Sequence, residues 1–224
     1  MDSSIIILSQ EQRKELTTIP ENISDYVMAK YYTLSEEDIY HIQTHRRDTN
    51  KLGFAIQLCC IKYPGWGFTS TKAIPEKVLN YVSKQLGISP INIHSYGERK
   101  NTRTKHIEEI CTWYGYRPFT STESQALEEY IEQKAIVSDE SFSLVKSGID
   151  FLRNNKIILP GITTIERIVR KVCISIESSL FSDIYSCLVP EQYKLLDKII
   201  DSQNEKVMTT LGMLRNVAGQ CSPQ

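Results

Sequence analysis

Three stretches of the sequence combine arginine or lysine with asparagine and threonine, side chains that contact phosphate oxygens and base edges. The first is THRRDTNKLGF, where Arg46, Arg47, Asn50 and Lys51 cluster at the junction of two expected helices. Side chains there can reach a phosphate backbone while apolar neighbours stay buried. The open amide groups of a helix starting after Asp48 suit a phosphate as well. The second is SYGERKNTRTKHIEEICTWYGYRP, with Arg99, Lys100, Arg103, Thr104 and Lys105 crowding one expected helix. On a 3.6-residue period Lys100, Arg103 and Thr104 share a side bordered by Arg99, while Ile107, Ile110, Cys111 and Tyr114 take the packing side. This helix is the best candidate for reading DNA. The third is FLRNNKIILPGITTIERIVRK. Here a helix, a Pro160-Gly161 turn and a second helix carry Thr163, Thr164, Arg167, Arg170 and Lys171. The layout is like a helix-turn-helix with a longer connection. The plainer account of all three is a solvated helix face, with Arg46 and Arg47 compensating a helix dipole.

Little else in the sequence suits chemistry. There is no P-loop, GxGxxG or GxSxG pattern. His41 and His45 are spaced for one helix face, but zinc needs further ligands and the sequence places none. Cys59 and Cys60 sit among apolar residues and are expected to pack. No catalytic residue, metal site or cofactor is expected.

The charge pattern supports the emphasis on basic stretches. Lys and Arg number 26 against 27 Asp and Glu, a net charge of -1. That balance argues against a partner held by bulk positive charge alone. The neutrality is nevertheless a sum of opposites: residues 1–40 carry -5, 41–120 carry +7, 121–152 carry -5, 153–176 carry +4 and the rest -2. Six cysteines without a CxxC pair read as free thiols of a reducing compartment. Neither a secretion signal nor a long apolar run is evident, so a cytoplasmic location without membrane association is expected.

The elements that must position these residues are helical throughout. Ser9 with Gln12, Ser24, and Ser35 before Glu36, Glu37 and Asp38 read as helix starts. The third of these helices is expected to run to Arg46 and Arg47. Lys51 to Tyr63 reads as a core helix broken by Pro64-Gly65. Further helices are expected over 75–86, 89–97, 98–114, 124–136, 141–154, 163–187 and 190–200, with weaker signals over 206–214. Ile157 to Leu159 reads as a short extended piece. The fold class is therefore all-α, with two small helical subdomains, 1–118 and 119–224. Their boundary falls where Gly115, Pro118 and a Thr/Ser cluster meet the switch from basic to acidic.

The runs LSEEDIYHIQTHRRDTNKLGFAIQLCCIKYPG, IPEKVLNYVSKQLGI, YGERKNTRTKHIEEICTWYGYRPF, IILPGITTIERIV and LGMLRNVAGQCSP occur in this order. Together they resemble the amino-terminal region of the replicative transposases of the Tn-3 family, from about Leu8 to Pro223. Arg46, Arg47, Asn50 and Lys51 match that family's basic junction. Leu52, Gly53, Phe54, Ala55, Gln57, Leu58, Cys59, Tyr63, Pro64 and Gly65 match the helix and turn behind it. Tyr96, Arg99, Arg103, His106 and Tyr114 match a second signature, and Thr164, Glu166 and Arg167 a third. Lys51 and Lys100 stand where arginine is also common, which weakens bidentate guanine reading there. The resemblance implies a module that binds the terminal inverted repeats of a transposon in double-stranded DNA. It also implies that the magnesium-binding acidic triad lies in a later domain. Self-association in the full-length protein follows from the same resemblance, and the acidic 121–152 segment with the aperiodic tail GMLRNVAGQCSPQ makes a helical scaffold or dimerisation module the alternative function.

Overall fold

A computed structural model describes residues 7–67, 73–96, 100–137 and 140–194 of the chain, with the backbone alone at Lys100. Arg99, the Lys100 side chain and the 206–214 and LGMLRNVAGQCSP stretches lie outside the described residues. The described residues are all-α, with an isolated parallel bridge between Arg117 and Ile157. None of these helices is long and apolar enough to cross a membrane. Residues up to Ile174 group as one compact unit and those from Ser175 as a second.

Local capping chemistry sets the first three helices. Ser9 starts α1 (Gln10–Thr17), accepting from the Gln12 amide while the Gln12 side chain returns to the Ser9 amide. Ser24 starts α2 (Asp25–Tyr32). Ser35 starts α3 (Glu36–Gln43) with Asp38 as reciprocal partner. Buried Asp38 also receives Lys62 Nζ at 2.8 Å, which ties α3 to the end of the next helix. The Lys62 and Ser35 bonds hold the Asp38 carboxyl below its usual range against the opposing effect of burial.

Helix α4 (Asp48–Lys62) forms the centre of the first unit. Every residue from Leu52 to Ile61 is buried. The stripe expected on one face is thus a helix enclosed on all sides. It contacts α2, α3, α5 (Glu76–Leu86), the 3-10 turn Pro90–Ile93 and α6 (Lys100–Tyr114). Each large apolar side chain buried there contributes about 1.5–3 kcal/mol. Pro75 stands immediately before the first turn of α5 without a side-chain cap, one position outside the expected first turn. Gly87 closes α5 at φ 66°, a left-handed conformation without penalty for glycine, and the Gly87 and Ile88 amides return to Lys84 and Ser83 carbonyls.

Two of the expected elements are shorter. The 89–97 helix is only the 3-10 turn, and α3 stops at Gln43 instead of running to Arg47. After α6 come α7 (Ser121–Ala135), α8 (Ser141–Asn154) and α9 (Ile162–Cys187). Leu127 and Ile131 of α7, Leu144, Val145, Ile149 and Leu152 of α8, and Ile165, Ile168, Val169 and Val172 of α9 are buried. The extended piece expected at 157–159 pairs with the chain entering α7, where the Arg117 amide donates to the Lys156 carbonyl and the Ile158 amide to the Arg117 carbonyl. Position 118, the expected subdomain boundary, follows this pairing directly.

Candidate nucleic-acid interface

The first basic cluster spans the four-residue corner between α3 and α4 and the first turn of α4. Arg46 and Arg47 are exposed there, and Asn50 and Lys51 half-buried. Arg47 stands at the start of α4, and its own side chain makes no capping hydrogen bond. Lys51 Nζ donates to Gln43 Oε1 at 2.7 Å across the corner. The early stop of α3 has a packing cause, because His45 turns inward instead of extending the helix. Its ring lies 4.7 Å from Phe54 and 4.6 Å from His106 of α6.

His106 anchors α6 to this corner. Its Nδ1 lies 2.9 Å from the Tyr96 hydroxyl, and Thr49 and Ser95 hydroxyls meet at 3.4 Å nearby. Gly53 makes room for the arrangement: a Cβ there would stand 2.0 Å from the Tyr96 ring. Burial, and secondarily the neighbouring His45, push the His106 imidazole down to about 4. Burial and Lys51 lower His45 too. Both rings are therefore neutral at pH 7 and act as packing groups. His41 goes elsewhere, stacking on Trp113 at 4.2 Å. Among the described residues no three His, Cys, Asp or Glu side chains gather as metal ligands.

In the second cluster Thr104 and Lys105 are exposed, while Arg103 is half-buried beside Tyr96. His106 and Ile110 are buried. The inner face of α6 therefore includes His106 beside the expected Ile110, and Arg103 is less open than Thr104 and Lys105. Tyr96 and His45 are the partners of His106 in this packing. The same contacts bring the first two clusters together, since His106 sits one turn after Arg103 and touches His45.

The third cluster lies elsewhere. On α9, Thr163, Arg167, Arg170 and Lys171 are exposed and Thr164 half-buried, opposite the buried Ile165, Ile168, Val169 and Val172. Buried Glu166 is held by Arg13 of α1 at 2.9 Å. Lys171 Nζ is bound to Glu128 Oε2 of α7 at 2.6 Å, so part of its charge is answered within the fold. The start of α9 lines a cavity of about 370 Å³ with Cys60, Pro64 and Trp66, at the far end of α4 from Arg47. At 1.5 Å per residue that is about 18 Å along the helix.

The grouping of His45, Tyr96, His106 and Glu109 had no signal in the sequence: Tyr96 and His106 were marked through the second signature, His45 only through its spacing from His41, and Glu109 not at all. Arg153 was also missed: its Nε donates to the Pro64 carbonyl at 2.7 Å and its guanidinium covers the Tyr63 ring.

A domain family described as "Domain of unknown function (DUF4158)" matches residues 7–172, which include all three clusters. The chain belongs to the DUF4158 family. It is similar to the transposase for transposon Tn1546 of Enterococcus faecium, 40% identical over 220 residues, 97% of this chain and 22% of that protein. It is also similar to the transposase for transposon Tn501 of Pseudomonas aeruginosa, 30% identical over 210 residues, 94% of this chain and 21% of that protein. The transposase for transposon Tn21 of Escherichia coli is 27% identical over 209 residues, covering 93% and 21%. The chain thus spans about a fifth of the length of the curated relatives it matches. These relatives bear out the resemblance to the amino-terminal region of Tn-3 family transposases.

Proposed function

We propose that this DUF4158 chain is a double-stranded DNA-binding module that recognises the terminal inverted repeats of a transposon and carries no catalytic step itself. The observation that carries the reading is the meeting of the first two basic clusters, with exposed Arg46, Arg47, Thr104 and Lys105 around the His45–His106 contact. Arg99, Lys100 and Arg103 belong to the same proposed surface through the sequence. Asn50 and Lys51 complete it at the start of α4. The third cluster supplies a second contact region through Thr163, Thr164, Arg167, Arg170 and, more weakly, Lys171. In this reading 1–118 and 119–224 are two DNA-contacting parts, supported by the charge switch near residue 118. The module works in the bacterial cytoplasm, on the nucleoid.

Fluorescence titration of a duplex bearing the matching terminal repeat, against a scrambled duplex, tests it. Tighter binding of the repeat is expected, with affinity falling steeply as salt rises. Equal, weak binding to both duplexes would defeat the proposal.

A further inference from the structure

An acid stands among the bases of the first two clusters. Glu109 follows exposed Lys105 by one turn on the same side of α6. Its carboxyl reaches back to the corner, where Oε2 lies 3.6 Å from His45 Nε2. Both atoms are buried, and neither has a hydrogen-bond partner among the described residues. The separation is longer than a hydrogen bond. No neighbour closes the gap from another direction. His45 packs on Phe54 of α4 and His106 of α6, and Lys51 of α4 acts on it by charge. His106 turns its Nδ1 to the Tyr96 hydroxyl instead. Glu109 feels Lys105 and Glu108 of its own helix. Arg46, Arg47 and Asp48 follow His45 along the chain and are exposed.

Resting on the DNA-binding reading above, we propose that docking of a duplex on this corner draws one proton onto the His45–Glu109 pair. A carboxylate at this place repels a phosphate backbone. One proton removes the conflict. Carried on His45 Nε2, it is donated to Glu109 Oε2, and the 3.6 Å separation closes into a charge-assisted hydrogen bond. The pair then loses its net negative charge, which phosphates favour. Burial, and then Lys51, hold the ring of the free chain below its ordinary 6.5, so without DNA the pair takes no proton at neutral pH. Phosphates move the uptake upward into that range. Because the bound state holds more protons than the free one, affinity rises as pH falls.

Fluorescence anisotropy of a labelled duplex with the 224-residue chain at pH 8, 7 and 6, at fixed ionic strength, tests the inference. All three lie above the value of about 4 at which His106 takes its own proton. Affinity is expected to rise about three- to tenfold per pH unit, tenfold being the limit for one proton. Glu109→Gln keeps the shape and removes the charge. It should bind more tightly than the unaltered chain at pH 8 and change by less than about twofold down to pH 6. Damage to the fold would instead weaken binding at every pH, and circular dichroism checks helix content. His45→Asn is the second variant and should flatten the profile as well. His94→Asn, which removes an exposed imidazole outside the pair, should leave the slope in place. DNA binding of equal strength at all three pH values would overturn the inference and leave the DNA-binding reading standing. A slope kept by both Glu109→Gln and His45→Asn, or lost with His94→Asn alone, would do the same. Absence of binding at every pH would overturn that reading and the inference together.

Discussion

His45 Nε2 lies 3.6 Å from Glu109 Oε2, yet both atoms are buried without a hydrogen-bond partner. Burial lowers the one group and raises the other, so each is held toward its neutral form. This pair, with His106 and Tyr96 behind it, joins α6 to the corner that bears Arg46 and Arg47. The corner is thus fastened by packing of neutral rings rather than by an ion pair.

Acid should loosen it. The His106 imidazole titrates near 4 in the folded chain against 6.5 ordinarily, so between these values the unfolded chain holds more protons. Stability from this group is complete above 6.5 and is lost as pH falls toward 4, by up to about 3 kcal/mol. His45 and Tyr96 touch it, and Lys51, Arg103 and Lys105 act on its neighbours His45, Tyr96 and Glu109; Glu109, with its raised value, works in the opposite sense. Urea denaturation of His106→Asn against the unaltered chain at pH 7.5 and pH 4.5 separates these contributions. The variant should lose less stability on acidification.

Gly53→Ala should destabilise the first unit by about 1–3 kcal/mol, because the added methyl would strike the Tyr96 ring at 2.0 Å. Thermal denaturation measures the loss. Adding Tyr96→Ala should recover part of it if the ring is the obstacle, and none if strain arises elsewhere.

Arg13→Ala removes the partner of a carboxylate that is only 6% exposed, Glu166. Arg13 itself is partly in water, so the expected loss is modest, about 1–2 kcal/mol. Glu166→Gln in the same background should restore some of it by removing the stranded charge, as read by the urea midpoint.

DNA affinity should respond unequally to basic residues of similar exposure. Arg46→Ala with Arg47→Ala should weaken binding of every duplex and lower the salt slope by about 2. On α9, Arg167→Ala should cost more than Lys171→Ala, since the Lys171 ammonium is already bound by Glu128. Equal losses at 167 and 171 would mean that DNA displaces Glu128.

The helices were legible because their signals are local. Ser9, Ser24 and Ser35 each cap within three residues, and Gly87 terminates α5 within its own turn. The buried side of α9 followed from the spacing of Ile165, Ile168, Val169 and Val172. What the sequence hid was tertiary. Nothing near residue 45 announces that its imidazole will meet one from residue 106, and that contact accompanies the early end of α3 and adds His106 to the packing side of α6. Likewise the apolar run of α4 indicated a core helix, but enclosure on every side depends on α2, α3, α5 and α6 arriving together.

The enclosure of α4 also gives the molecule an internal chemical clock. Cys59 and Cys60 are both wholly buried, and burial pushes the Cys59 thiol up to about 12 and raises that of Cys60 as well. Thiolate is the reactive form, so alkylating reagents do not find Cys59 until the helices around α4 part, and Cys60, at the wall of the cavity of about 370 Å³, is slowed by its raised thiol. Exposed Cys187 meets the reagent without that delay. Mass spectrometry of peptides carrying these cysteines would then time the opening of the first unit against a reference built into the same chain.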